Sequence, residues 1–174
     1  VLHILWSADW SQEEQTLFAV AHDITTQVQN EVYTETQRDI LGMISTDQQL
    51  QEILDAICLM VEAQEPKTLC SVLLLDADGR CLRTGAAPSL PEAYSRSFDG
   101  TAIGARASSC GTAAYRQALV VVEDILLDPL WQDNRELAQQ HGLRACWSFP
   151  LVSHQGRVLG TFAIYKRTPG RPNK

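Results

Sequence analysis

Chemistry in this chain concentrates between residues 108 and 147. Ser108-Ser109-Cys110-Gly111-Thr112 reads as the opening of a helix. The first N–H groups of a helix lack internal partners, and the helix dipole adds positive potential there. A thiol at that place ionises more readily, so Cys110 is a candidate nucleophile. The same N–H groups can hold a phosphate. Cys146 follows on a predicted strand and offers a second thiol for a redox pair. The plainer alternative makes Cys110 and Cys146 two small buried hydrophobes. Arg144 and Arg106 are cations able to meet an anionic ligand. Glu123 and Asp124 are adjacent at a strand end, so they point to opposite sides and suit a strand-to-loop cap better than paired acid–base work. His141 before Gly142 reads as a cation at a helix C-terminus, and His154 as a turn residue. His3 and His22 are isolated and carry no ligand pattern.

Composition bounds the rest. The chain has 174 residues, 45% of them hydrophobic and 20% charged. That is enough for one domain, or one and a fragment, with a core that needs no disulfide or metal staple. No apolar run approaches the ~20 residues of a membrane span. Residues 1–10 alternate apolar and polar types, which is not a secretory signal pattern, and membrane insertion is not expected. Five cysteines without a C-x-x-C fit a reducing cytosol and give no zinc spacing. The net charge of −7 is unevenly spread. Residues 1–65 hold 12 acids and one Arg, whereas residues 66–174 hold 9 acids and 13 bases. The acidic front repels phosphate backbones, so nucleic acid is not an expected partner.

The elements that must position these residues follow from periodicity. Leu2, Ile4, Trp6, Ala8 and Trp10 alternate with more polar groups as on a half-buried strand, and Thr16–Ala21 reads as its hairpin partner. Two strands alone are marginal in water, so this hairpin belongs to something larger. Asp23 and Thr25 suit the start of a helix. Residues 26–44 predict a polar helix with a thin stripe of Val28, Val32, Ile40, Leu41 and Ile44, suited to weak pairing with a second copy. Ser45-Thr46-Asp47-Gln48 resembles a capping box that restarts the helix, after which Leu50, Ile53, Leu54, Ile57, Met60 and Val61 form a core-facing stripe ending before Pro66. Leu69–Leu75 is a continuous apolar run, expected of a strand covered on both faces. A turn at Asp76–Gly79 returns the chain into a strand from Cys81. Residues 85–107 form a long excursion with one short helix near Pro91–Ser97, and such excursions are usually functional. After the Ser108 helix come a strand at Leu119–Val122, a helix from Asp128 to His141, and strands at Ala145–Pro150 and Val158–Tyr165. Thr168–Lys174 reads as a linker.

The order from residue 46 resembles a GAF domain, on the strings SSCGTAAYRQALVVVEDI, DPLW, HGLRACWSFPL and VLGTFAIY. The resemblance implies an α+β fold: an antiparallel sheet of about six strands with helices on one face, preceded by a β-hairpin and a long linker helix. Residues 1–25, ending in Asp23-Ile24-Thr25, are similar to the last strands of a PAS domain. The implied organisation is a PAS end at 1–25, a signalling helix at 26–45, a GAF domain at 46–167 and a linker tail at 168–174. It implies a non-catalytic sensory and relay module of bacterial signalling proteins of the sensor-kinase or cyclic-di-GMP type, with a histidine kinase or GGDEF/EAL output domain in cis. A homodimer through the linker helices is implied too. The expected ligand-binding residues are Ser109, Cys110, Thr112, Arg144, Trp147, Phe149 and Phe162; Trp131 and Tyr165 are expected in the core. No ligand or cofactor is identified by the sequence. The string Cys110-Gly111-Thr112-Ala113-Ala114 also resembles free methionine-(R)-sulfoxide reductases, which implies an alternative thiol enzyme using Cys110 and Cys146. A dimerisation module without ligand is the third expectation.

Overall fold

A computed structural model describes residues 2–46, 48–65 and 67–172. The chain divides into two compact units, Val1–Asp47 and Gln48–Lys174. The first unit begins with the expected hairpin. Strands β1 (Ile4–Ser11) and β2 (Thr16–Asp23) pair antiparallel from Ile4↔Asp23 to Ser11↔Thr16. The register sets Trp6 opposite Ala21 and Trp10 opposite Leu17, so the alternating apolar residues share one face. The Thr25 N–H donates to the Asp23 carboxylate at 2.9 Å and turns the chain into helix α1 (Thr25–Ser45). Those bonds from Thr25 also hold Asp23 below its ordinary pKa.

The Ser45–Gln48 string acts differently from a capping box. The Ser45 hydroxyl donates to the Gly42 carbonyl at 2.8 Å, and Thr46 donates to the same oxygen at 3.0 Å. Hydroxyls at a helix end bond back to carbonyls three or four residues earlier, so this pair closes α1. Asp47, the third residue of that string, lies outside the described residues, as does Pro66. Helix α2 (Leu50–Gln64) starts at Gln49 without a side-chain cap.

The second unit is built on a six-stranded sheet. Its strands are β3 (Thr68–Leu75), β4 (Cys81–Ala86), β5 (Thr101–Ala102), β6 (Val120–Val122), β7 (Ala145–Val152) and β8 (Val158–Lys166). Their order is β5-β4-β3-β8-β7-β6, and every pairing is antiparallel. This is the expected α+β architecture, with one correction. Helices cover both faces, not one. On one face α2 lays Leu54, Cys58 and Val61 on Cys70, Val72, Ala86, Phe162 and Ile164. On the other face stand α3 (Glu92–Phe98), α4 (Ser108–Arg116), a 3-10 turn (Pro129–Trp131) and α5 (Arg135–Gln140). They cover Leu73, Leu82, Cys146, Ala163 and Tyr165. The apolar stripe of α2 needs a surface, and the unbroken apolar run of β3 presents one on each side.

Two glycines permit close approach. A Cβ at Gly160 would lie 2.1 Å from the Leu73 carbonyl oxygen, and one at Gly111 would lie 2.4 Å from that of Ala102. The expected helix from Asp128 to His141 is instead a 3-10 turn followed by α5, because Asn134 N–H bonds back to Trp131. Residues 168–172, expected as linker, are bonded to the domain. Gly170 N–H donates to the Glu123 carbonyl at 2.9 Å, and its own carbonyl accepts from Trp147 Nε1 at 3.1 Å. No described helix is long and apolar enough to cross a membrane.

Candidate functional site

The excursion 85–107 supplies one wall of a small cavity of about 10 Å³. Ala87 and Leu90 come from the loop, and Tyr94, Ser95 and Phe98 from α3. Ser71, Leu73, Thr84 and Tyr165 line it from the sheet. Tyr94 and Phe98 are four residues apart, so α3 turns both rings inward. The Tyr94 ring lies 4.8 Å from Phe98 and edge-on to Tyr165 at 5.8 Å, and Phe98 lies 5.6 Å from Trp131. The Tyr165 hydroxyl meets that of Ser71 at 3.3 Å. The Tyr94 hydroxyl, on a side chain 1% exposed, has no hydrogen-bond partner among the described residues. Burial drives the pKa of Tyr94 and of Tyr165 well above the ordinary phenol value. Hydroxyls and rings, with no charged side chain, line this cavity.

Next to it α4 and β7 bring thiols and hydroxyls together. Ser109 Oγ donates to Cys146 Sγ at 3.3 Å. Ser148 Oγ lies 3.4 Å from Cys110 Sγ and 3.6 Å from Cys146 Sγ. Bonds from Cys146, Ser148, Thr161 and Tyr165 outweigh burial and bring the Cys110 thiol down from 9.0 to about 7. Burial raises Cys146 well above its ordinary value. The Thr112 hydroxyl and the indole N–H of Trp131 are buried without hydrogen-bond partners among the described residues.

A profile of the GAF domain family matches residues 45–173. The chain belongs to the GAF domain family. It is 38% identical over 152 residues to the methyl sulfide methyltransferase-associated sensor of Methanosarcina acetivorans, covering 87% of this chain and 15% of that protein. A domain ascribed to a two-component sensor histidine kinase of Sinorhizobium meliloti superposes with a TM-score of 0.59 at 25% identity, over 74% of this chain and 80% of that one. Free methionine-R-sulfoxide reductase of Neisseria meningitidis, solved with its substrate, superposes at 0.58 with 18% identity, over 81% and 77%. The last likeness shows the fold alone.

Within this GAF domain the expected site residues separate into groups. Ser109, Cys110 and Thr112 do come together, and Cys146 joins them. Trp147, Phe149 and Phe162 do not: strand alternation turns them to the α2 face, where Phe149 pairs with Phe162 in register. Trp147 lies beneath Lys166, whose Nζ is 5.4 Å from the ring centroid. Arg144 is engaged by Asp124 at 2.7 Å, outside the cavity, and that bond holds Asp124 below its ordinary pKa. Glu123 pairs with Arg171 instead, so the adjacent carboxylates serve two separate partners. Arg106 lines an open cleft of about 430 Å³ with Ser108 and Asp133. The Ser108 hydroxyl accepts from Gly111 N–H at 3.3 Å, which occupies one of the helix-start donors expected for phosphate. Among the described residues no three His, Cys, Asp or Glu side chains assemble as a metal site. The sequence reading missed Tyr94, Phe98 and Ser71. The spacing of Tyr94 and Phe98 behind Pro91 was the available signal.

Proposed function

We propose that this chain is a sensory and relay module whose GAF domain binds a small uncharged ligand between the sheet and α3. The observation that carries this reading is the unpartnered Tyr94 hydroxyl in an aromatic, charge-free cavity. The sensor-named relative supports the same role. Residues 1–25 are read as the end of a PAS domain, because their apolar face of Ile4, Trp6, Trp10 and Leu17 is exposed. Helix α1 then serves as a signalling linker, pairs with its copy in a homodimer, and works in the cytoplasm with an output domain in cis. Binding in the cavity draws the α3 wall toward the ligand and biases the packing of the domain.

Tyr94→Phe tests the ligand site. Removing an unpartnered hydroxyl leaves the apo protein as stable or slightly more so. Native mass spectrometry of freshly purified wild type is expected to show a bound small molecule that the variant lacks. Equal occupancy in both proteins overturns the role of Tyr94, and an empty wild type that no neutral compound stabilises overturns the ligand reading. Mass in solution tests the dimer, and a monomer at high concentration removes it.

A second reading rests on the adjacency of Cys110 and Cys146. As a thiol reductase the pair would convert a sulfoxide to a thioether while the two thiols become a disulfide and the oxygen leaves as water. Free methionine-R-sulfoxide with a thiol reductant is the assay. Turnover that disappears in Cys110→Ser would replace the sensor reading with this one.

A further inference from the structure

Five of the nine residues lining the cavity lie on one segment, 87–98. Pro88 and Pro91 stiffen its loop, and α3 completes it. Two carboxylates fasten the segment at its ends. At the far end Asp99 accepts from the Thr84 N–H at 2.9 Å and from Arg83 at 3.2 Å. At the near end the Ser89 hydroxyl donates to Glu62 of α2. The other Glu62 oxygen accepts from the Cys70 N–H of β3 at 2.7 Å. One side chain of α2 therefore holds both a sheet strand and the cavity wall. We propose that residues 87–98 form a hinged flap over the cavity and that Glu62 is its latch, so that a movement of α2 frees or closes the flap. This rests on the cavity reading above, from which it takes the reason for opening. With about 10 Å³ the cavity admits roughly one water molecule, and a larger ligand fits only if the wall moves.

Glu62 is a positioning residue: its carboxylate sits outside the cavity lining and acts through Ser89. Fraying at the latch end is the opening it controls, because the Asp99 end keeps its bonds to β4. A shift of α2 along its axis carries Glu62 away from Ser89 while Cys70 stays in the sheet.

Amide hydrogen exchange followed by NMR on the whole chain tests the latch without any ligand. The Ser89→Ala variant keeps the Glu62–Cys70 bond. It is expected to speed exchange of the Leu90 amide and of the Ser95 amide that opens α3 by about tenfold, the size of one charge-assisted hydrogen bond. Amides of β3 and β8 should keep wild-type rates, which a general loss of stability would not allow. Glu62→Gln should raise exchange of the same two amides in the same direction, and combining it with Ser89→Ala should add little, since both act through one contact. Unchanged exchange of the two amides in Ser89→Ala, an equal rise in β8, or fully additive effects would each overturn the latch. Because exchange needs no ligand, a working latch in a protein that binds nothing would fault the cavity reading alone. A bound ligand with the two amides unresponsive would fault the latch alone.

Discussion

The two faces of the sheet bury cysteines in opposite surroundings. Under α2, Cys58 and Cys70 sit among Leu54, Val61, Val72, Phe162 and Ile164. Burial, helped by Glu62 nearby, pushes Cys58 from 9.0 up to about 12 and Cys70 further still. Under α4, Cys110 meets Ser148, Cys146, Thr161 and Tyr165 and falls to about 7. All four cysteines are 3% exposed or less, so burial alone does not decide thiol chemistry. At Cys110 its hydrogen-bonding neighbours outweigh burial, whereas at Cys146 burial prevails. One face is a structural seal, and the other is a polar core able to respond to chemistry.

Four experiments can break or sharpen that contrast. The largest effect is expected from Trp131→Ala on the polar face. The ring is 1% exposed and packs on Phe98, so its loss should cost about 3–5 kcal/mol by denaturant unfolding. Next comes one substitution made on both faces. Cys70→Ser places a hydroxyl among apolar groups and should cost about 1–3 kcal/mol, whereas Cys110→Ser keeps Ser148 as a partner and should cost under about 1 kcal/mol. Equal costs would erase the distinction between the faces.

The third is alkaline pH. Cys58 has a raised pKa in the fold, so its contribution is fully present below about 9 and is lost as pH climbs toward 12. Cys110 has a lowered one, so its contribution is present above 9 and is lost as pH falls through 7. Cys58→Ala should therefore flatten the alkaline decline in stability, and Cys110→Ser should not. The smallest effect belongs to Arg144→Ala. Its ion pair with Asp124 is solvent-screened, so only a slight loss of stability is expected by denaturant unfolding, with no change in ligand occupancy.

Much of the fold was legible from pattern. Alternation marked the hairpin and the strands, and helical spacing marked α2. The run Leu69–Leu75 already implied cover on both faces, which contradicts helices on one side only; the structure follows the run. The site was less legible. Strand residues adjacent in sequence point to opposite faces, so Cys146 and Trp147 part company although they are neighbours. Whether Arg144 serves a ligand or Asp124 depends on a contact across 20 residues that no local spacing encodes. Tyr94 sits in a segment rich in Gly, Ala, Ser and Pro, where periodicity is too short to stand out. Ser45 and Thr46 show a different ambiguity, because the same hydroxyls can begin one helix or end another, and only backbone geometry chooses.

The anchoring of Gly170 has a practical corollary for shortening the protein. Residues 168–172 resemble trimmable spacer. Cutting after Arg167 would strip the acceptor from the Trp147 indole, orphan the Glu123 carbonyl and bare one flank of the aromatic ring. A shortened version designed from the sequence alone would start out missing part of its own wall.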